Sequence, residues 1–197
     1  ALLVAAGSGS RAGGELPKQY RRIGGKTLLA HAVDHLHHSR IDAIQVVIGE
    51  GQEQAYLDAI GERALPSPII GGATRQQSVR NGLAALESAE RVLIHDAARP
   101  FLPPAVVDRL LDALAAHDGA VPVLPVVDSL AQRSGEPVPR EDLVRVQTPQ
   151  AFRLDAIRRA HEAWAGGEAT DDAQVARAVR DAAAELATGL VPDAHRV

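Results

Sequence analysis

Ala1-Leu2-Leu3-Val4-Ala5-Ala6-Gly7-Ser8-Gly9-Ser10-Arg11-Ala12-Gly13-Gly14-Glu15-Leu16-Pro17-Lys18-Gln19-Tyr20 is the stretch that decides the fold. Its first residues form a short apolar run, the pattern of a strand covered on both faces in a parallel sheet. The run ends in small side chains and passes into a glycine-rich loop. Gly7 and Gly9 carry no Cβ, so the backbone there can turn sharply and bring its N–H groups against a ligand. Successive inward N–H groups make an anion-binding nest. Arg11 and Lys18 add two full positive charges to the same loop. The simplest ligand for that combination is a polyphosphate, and hence a nucleotide.

Other glycine motifs compete for this reading. Gly7-Ser8-Gly9-Ser10-Arg11-Ala12 fits the dinucleotide fingerprint G-x-G-x-x-G/A, a weak signal alone. That motif should open directly into a helix and meet an acidic strand end about 20 residues on. Pro17 interrupts the first requirement, and residues 27–35 do not supply the second. Gly25-Lys26-Thr27 looks like the tail of a P-loop, but Tyr20 stands where the first glycine belongs, so this is read as a turn before a helix. A bare strand-to-helix turn would explain the opening glycines but not the two cations beside them.

Composition sets the bounds. A chain of 197 residues can bury a full core in one domain. A formal charge of −4 argues against general nucleic-acid affinity. The absence of cysteine excludes a disulfide frame, a thiolate nucleophile and a cysteine metal site. No apolar run approaches the roughly 20 residues that span a bilayer, and no signal peptide is visible, so a cytoplasmic location is expected. The chain begins inside a strand without a methionine, so its natural N-terminus is expected to be trimmed.

Downstream, strands and helices alternate, the signature of a mostly parallel, Rossmann-like α/β sheet flanked by helices. Leu28, Leu29, Val33 and Leu36 give a helical stripe. Ile44–Ile48 reads as a strand, Gln52–Ile60 as a helix, and Pro66–Ile70 as a third strand leading to Gly71-Gly72 and a helix reaching Leu86. Arg91–His95 is a fourth strand, followed by a helix from Pro104 to Ala116 and a buried strand at Ala120–Val127. Ser134-Gly135-Glu136-Pro137 marks a turn, so residues about 128–147 are expected to form a β-hairpin arm on a single domain spanning 1–197. Thr148-Pro149-Gln150 precedes a helix at Asp155–Trp164. Thr170-Asp171-Asp172 is an N-cap for Ala173–Arg180, and Glu185–Val191 is the last strand. His31 and His35 stand at a spacing zinc can use, but no third ligand is evident, and a solvated helix face is the simpler reading. Trp164 and Tyr56 are expected to pack in the interior.

In open α/β sheets ligands bind outside the carboxyl ends of the strands. Three polar segments fall there: the Gly7–Lys18 loop, Gly72–Ser78, and Asp96–Arg99. Asp96 suits magnesium, a hard cation that takes a carboxylate together with substrate phosphates. Each residue also has an ordinary role open to it. Asp96 could cap a helix or pair with Arg99, Arg75 could be solvated, and Ser78 could be a plain helix serine. Their joint placement around a glycine-rich loop favours a site.

Five ordered motifs carry a family resemblance. Ala5-Ala6-Gly7-Ser8-Gly9-Ser10-Arg11 with Pro17-Lys18-Gln19-Tyr20 resembles the opening of the sugar-phosphate nucleotidyltransferases. Gly71–Val79, His95-Asp96-Ala97-Ala98-Arg99-Pro100-Phe101 and Thr148-Pro149-Gln150-Ala151-Phe152 narrow this to the 2-C-methyl-D-erythritol 4-phosphate cytidylyltransferases of the non-mevalonate isoprenoid pathway. The resemblance runs from residue 1 to about residue 173. It implies the nucleotide-diphospho-sugar transferase type of fold, and transfer of a cytidylyl group from CTP to a sugar-alcohol phosphate with release of pyrophosphate. It also implies the roles. Arg11 and Lys18 would be catalytic, neutralising the triphosphate and the transition state. Ala5, Ala6, Gly7, Gly9, Gly72, Arg75 and Ser78 would surround CTP, with Asp96 holding Mg²⁺ between phosphates. Arg99, Arg140, Thr148, Thr170 and Arg196 would hold the methylerythritol phosphate. The arm would cross to a second subunit, so Arg140 would serve the neighbour's site in a homodimer.

The Gly-Gly-Ala-Thr-Arg-Gln-Gln-Ser form resembles the N-terminal half of bifunctional enzymes, in which a cyclodiphosphate synthase domain follows. Two departures stand out. Ala73 occupies a position where the family commonly has an acid, so one nucleotide contact is missing or made through water. Asp193-Ala194-His195-Arg196-Val197 replaces a lysine-bearing segment, with Arg196 in the lysine's place, and the helix that usually follows is not in the sequence. A ribitol-5-phosphate cytidylyltransferase is the near alternative, which Ala98 disfavours. A non-catalytic nucleotide-binding module is the more distant one, disfavoured by the presence of Arg11, Lys18 and Asp96 together.

Overall fold

A computed structural model of the chain describes residues 1–7, 16–165, 167, 169, 171–182 and 188–192. The element order is β1 (Leu2–Ala5), a 3-10 turn (Lys18–Tyr20), β2 (Arg22–Ile23), β3 (Lys26–Thr27), α1 (Leu28–Leu36), β4 (Gln45–Ile48), α2 (Glu53–Ile60), β5 (Ile69–Ile70), α3 (Arg75–Ala84) and β6 (Arg91–Asp96). It continues with α4 (Pro104–Ala113), β7 (Gly119–Pro125), β8 (Leu130–Ala131), β9 (Pro137–Val138), β10 (Val144–Val146), β11 (Gln150–Arg153), α5 (Leu154–Ala163), α6 (Asp172–Ala182) and β12 (Thr188–Pro192).

The main sheet runs β10-β7-β11-β6-β1-β4-β5, with β12 paired to β7. Strands β5, β4, β1 and β6 are parallel; β11 runs antiparallel to both β6 and β7, and β10 antiparallel to β7. The expected Rossmann-like, mostly parallel sheet is therefore present, with two reversed strands in it.

Both faces of this sheet are covered, which explains the unbroken apolar opening. Leu2 and Leu3 are each fully buried, on opposite faces. Leu3 joins Val46, Ile48, Leu29, Val33, Tyr56 and Leu110 beneath α1, α2 and α4. Leu2 joins Val47, Val79, Leu83, Phe152 and Ile157 beneath α3, α5 and α6. Each fully buried leucine or phenylalanine is worth about 1.5–3 kcal/mol of transfer free energy, so these two layers hold the sheet rigid behind the site.

Local signals worked where they were chemical. Thr27 caps α1 by accepting from the Ala30 N–H at 3.1 Å, and Pro104 opens α4. Asp171 caps α6, accepting from the Gln174 N–H at 2.8 Å. The expected turn at Gly25-Lys26-Thr27 lies in a small β2–β3 hairpin that leads into α1. The expected arm divides: β8 and β9 form a short hairpin, whereas Val144–Val146 is β10 and belongs to the main sheet. β11 had no counterpart in the sequence reading. It is four residues long, and its buried Gln150 breaks the apolar signature. His31 and His35 lie on an exposed turn of α1, bonded to the carbonyls of Ile23 and His31 at 2.9 and 2.8 Å. Their rings flank Phe101 at 5.6 and 5.7 Å.

Candidate active site

Parallel strands bring their carboxyl ends to one edge. Ala5 closes β1, Gly71-Gly72 follows β5, and Asp96 closes β6. The antiparallel β11 contributes its start to that same edge. Because Gln150 pairs with Ile94, Thr148 stands level with Asp96. The reversed strand thus delivers Thr148 to the carboxyl edge.

The opening loop is pinned by a residue without an expected role. Gln19 is buried, and its Nε2 donates to the carbonyls of Ala5 at 2.6 Å and Gly7 at 3.0 Å. Those bonds fix the base of the glycine loop, and they hold Lys18, one residue earlier, exposed on the 3-10 turn. Gly9 and Arg11 lie outside the described residues, as do Thr170 and Arg196.

The Gly71-Gly72 corner is closed by Ser78 and Gln77. The Ser78 hydroxyl donates to the Thr74 carbonyl at 2.9 Å and accepts from the Gly72 N–H at 3.0 Å. The Gln77 side chain accepts from the Ala73 N–H at 3.1 Å. A Cβ at Gly71 would lie 2.6 Å from the Ala6 Cβ and 2.6 Å from the Ser78 Oγ, so this corner has no room for one. Gly71→Ala is expected to cost about 1–3 kcal/mol, because both neighbours are held by backbone. Urea denaturation measures this; an unchanged midpoint would mean that the corner is loose.

Arg75 is the hub of the charged cluster. Its Nε donates to Asp96 Oδ1 at 3.2 Å and its Nη1 to Asp172 Oδ2 at 2.9 Å. Its Nη2 is buried with no partner among the described residues. Burial opposes the charge on Arg75, and the carboxylates of Asp172 and Asp96 more than offset it, raising its pKa. Asp172 is buried on α6 and also accepts from His161 Nε2 at 3.2 Å. Burial alone would raise the Asp172 carboxyl; His161 and Arg75 reverse that and hold it below the usual carboxylate range. Sequence reasoning had missed Asp172 and His161, since Asp172 read as part of a helix cap.

On the other side of Asp96, Arg99 Nε stands 3.8 Å from Oδ2, and Arg99 Nη1 donates to Gln147 Oε1 at 2.6 Å. Behind them lies His95, buried between Thr148 and the Arg99 carbonyl. Burial pushes its imidazole down to about 4, so the ring is neutral at ordinary pH.

The structure therefore joins Ala5, Ala6, Gly7, Gly72, Arg75, Ser78, Asp96, Arg99 and Thr148 along one edge. Arg140 is not joined to them; it sits in the arm and donates to the Val127 carbonyl. For a divalent cation, Asp96 is a half-buried carboxylate, 30 % exposed, at the mouth of this edge. No group of three or more carboxylates and histidines suited to a metal occurs among the described residues. That donor set fits an ion shared between one carboxylate and phosphate oxygens, the usual arrangement for magnesium.

With the geometry in view, the likeness to known proteins is informative. A family model described as "IspD: 2-C-methyl-D-erythritol 4-phosphate cytidylyltransferase" matches residues 1–189. The chain belongs to this cytidylyltransferase family. It is 62 % identical over 183 residues to the "Bifunctional enzyme IspD/IspF" of Rhizorhabdus wittichii, covering 90 % of this chain and 48 % of that protein. It is 43 % identical over 189 residues to the "2-C-methyl-D-erythritol 4-phosphate cytidylyltransferase" of Cereibacter sphaeroides, covering 90 % of this chain and 82 % of that one. The chain spans about half the length of the bifunctional relatives it matches. Among solved structures, the 2-C-methyl-D-erythritol 4-phosphate cytidylyltransferase of Thermus thermophilus superposes with a TM-score of 0.79 at 36 % identity, over 98 % of this chain and 88 % of that one. The bifunctional IspDF of Campylobacter jejuni superposes with a TM-score of 0.81 at 26 % identity, over 98 % of this chain and 48 % of that chain.

Proposed function

We propose that the chain transfers the cytidylyl group of CTP to 2-C-methyl-D-erythritol 4-phosphate, giving 4-diphosphocytidyl-2-C-methyl-D-erythritol and pyrophosphate in the non-mevalonate isoprenoid pathway. The observation that carries this is the meeting of Arg75, Asp96, Arg99 and Thr148 at one sheet edge, in a chain that matches the family over residues 1–189. A phosphate oxygen of the methylerythritol phosphate attacks the α-phosphorus. The new P–O bond forms as the α–β bridging bond breaks, and pyrophosphate leaves with the electron pair. No protein nucleophile takes part, so catalysis is positioning and charge stabilisation.

In this reading Arg11 and Lys18 stabilise charge on the transferring phosphoryl group and the leaving pyrophosphate. Ala5, Ala6, Gly7, Gly9, Gly72 and Ser78 surround cytidine, with Arg75 at the phosphate side. The Arg75 Nη2, buried without a partner among the described residues, supports this, since a buried cationic donor favours an anionic acceptor. Arg99, Thr148, Thr170 and Arg196 hold the second substrate. Asp96 would hold Mg²⁺, which when bound neutralises charge on the triphosphate. Arg140 completes the site of a second subunit, and the exposed apolar residues Leu130 and Leu143 in the arm, with Val127 and Val144 beside it, support a homodimer through it. The bifunctional relatives support a cyclodiphosphate synthase fused to this domain. No helix among the described residues is long and apolar enough to cross a membrane, in keeping with a cytoplasmic setting. The test is product formation from CTP and methylerythritol phosphate with and without a chelator. Equimolar pyrophosphate and cytidyl product, stopped by chelation and restored by Mg²⁺, is expected. Turnover unaffected by exhaustive chelation would remove the role assigned to Asp96.

A further inference from the structure

His95 carries no role in the reaction as described so far, yet its buried ring bonds two parts of the site. Its Nε2 lies 2.9 Å from the Arg99 carbonyl and its Nδ1 lies 2.9 Å from the Thr148 hydroxyl. Thr148 Oγ1 also accepts from the Asp96 N–H at 3.4 Å. A carbonyl can only accept, so Nε2 bears the hydrogen. The ring is buried and its two partners are a carbonyl and a hydroxyl, with no carboxylate among them to answer a charge, so it carries a single hydrogen; Nδ1 is then an acceptor, and the hydrogen it takes is that of the Thr148 hydroxyl. The polarity of the whole chain follows: Asp96 N–H to Thr148 oxygen, Thr148 O–H to His95, His95 N–H to Arg99. The 97–99 turn is closed at its other end by the Arg99 N–H on the Asp96 carbonyl at 2.9 Å. Arg99 then reaches Gln147, the neighbour of Thr148, at 2.6 Å.

We propose that His95 is a positioning residue for the alcohol-phosphate half of the site: its fixed tautomer sets the Arg99 turn and commits the Thr148 hydrogen inward. Thr148 then offers the cleft a lone pair, which suits a substrate O–H donor rather than a phosphate oxygen. A hydroxyl of the sugar alcohol is the group it would read. An apolar side chain of equal size could fill the same core volume but could not impose that polarity. The proposal rests on the cytidylyl-transfer reading above.

Two substitutions separate the two arms of the ring. His95→Asn keeps an acceptor near Thr148 and loses the tie to Arg99; His95→Gln keeps a donor toward Arg99 and frees Thr148. Steady-state kinetics should give His95→Gln and Thr148→Val an about tenfold higher KM for methylerythritol phosphate, the size of one lost hydrogen bond, with the KM for CTP nearly unchanged. The double variant should be no worse than the poorer single, because both break one bond. Imidazole ¹⁵N spectra of the parent at neutral pH should show Nε2 protonated and Nδ1 as an acceptor, with Nδ1 moving in Thr148→Val. Equal losses for both substrates, additive singles, or an Nδ1-protonated ring would overturn the proposal. A parent that turns over neither substrate pair would defeat the functional reading, while the spectra would still decide the ring's tautomer and its bond to Thr148.

Discussion

Lys18→Ala is expected to slow cytidylyl transfer on the order of 10³-fold, about 4 kcal/mol of transition-state stabilisation, with the fold intact. Lys18 is exposed on its 3-10 turn, and the buried residues of that turn are Gln19 and Tyr20. Truncating Lys18 therefore opens no cavity and breaks no core contact. What it removes, on the proposed reading, is a point charge that would answer the negative charge developing on the transferring phosphoryl group. The loss should fall on kcat, since charge stabilisation that grows in the transition state acts there. Lys18→Arg keeps the charge but spreads it over a planar fork, so only partial recovery is expected. An alanine variant with nearly parental kcat and a parental melting curve would remove Lys18 from the mechanism.

Asp172→Ala should produce the largest loss of stability, about 3–5 kcal/mol. The carboxylate is buried and answers both Arg75 and His161, so its removal leaves a partly buried guanidinium and a buried imidazole without their common partner. For a chain of this length that corresponds to a fall in melting temperature of roughly 10 °C. Asp172→Asn keeps one acceptor and the shape, so it should lose about half as much. The consequence extends to the site, because Arg75 links Asp172 to Asp96. Thermal unfolding checks the ordering, and an alanine variant within about 0.5 kcal/mol of the parent would contradict it.

The opening strand and the three polar strand ends were legible because their signals are local. An apolar run covered on both faces, glycines beside cations, and a proline opening a helix each lie within a few residues. The meeting of Asp96 and Arg75 at one edge was legible for the same reason, each standing at or just past a strand end. The Arg75–Asp172–His161 cluster was not, because it joins residues 97 and 11 positions apart in the chain and exists only when α3, α5 and α6 pack together. Asp172 was hidden further by an N-cap motif whose capping side chain proves to be that of Asp171. Gln19 stood inside a recognised motif, but nothing in its spacing says that it folds back onto Ala5 and Gly7. β11 was missed because four residues with a buried glutamine carry no periodicity, and its place between β6 and β7 is set by pairing. Arg140 was read as a binding residue through likeness alone, and among the described residues it donates to the carbonyl of Val127, just before the arm.

On the proposed reading, this edge joins CTP to methylerythritol phosphate. Its most direct test is pyrophosphate release from CTP with Mg²⁺, with methylerythritol phosphate and ribitol 5-phosphate offered in parallel to the same preparation. Release with methylerythritol phosphate, and little with ribitol 5-phosphate, is the predicted result. Preferential release with ribitol 5-phosphate, or CTP binding with no release from either alcohol phosphate, would contradict it.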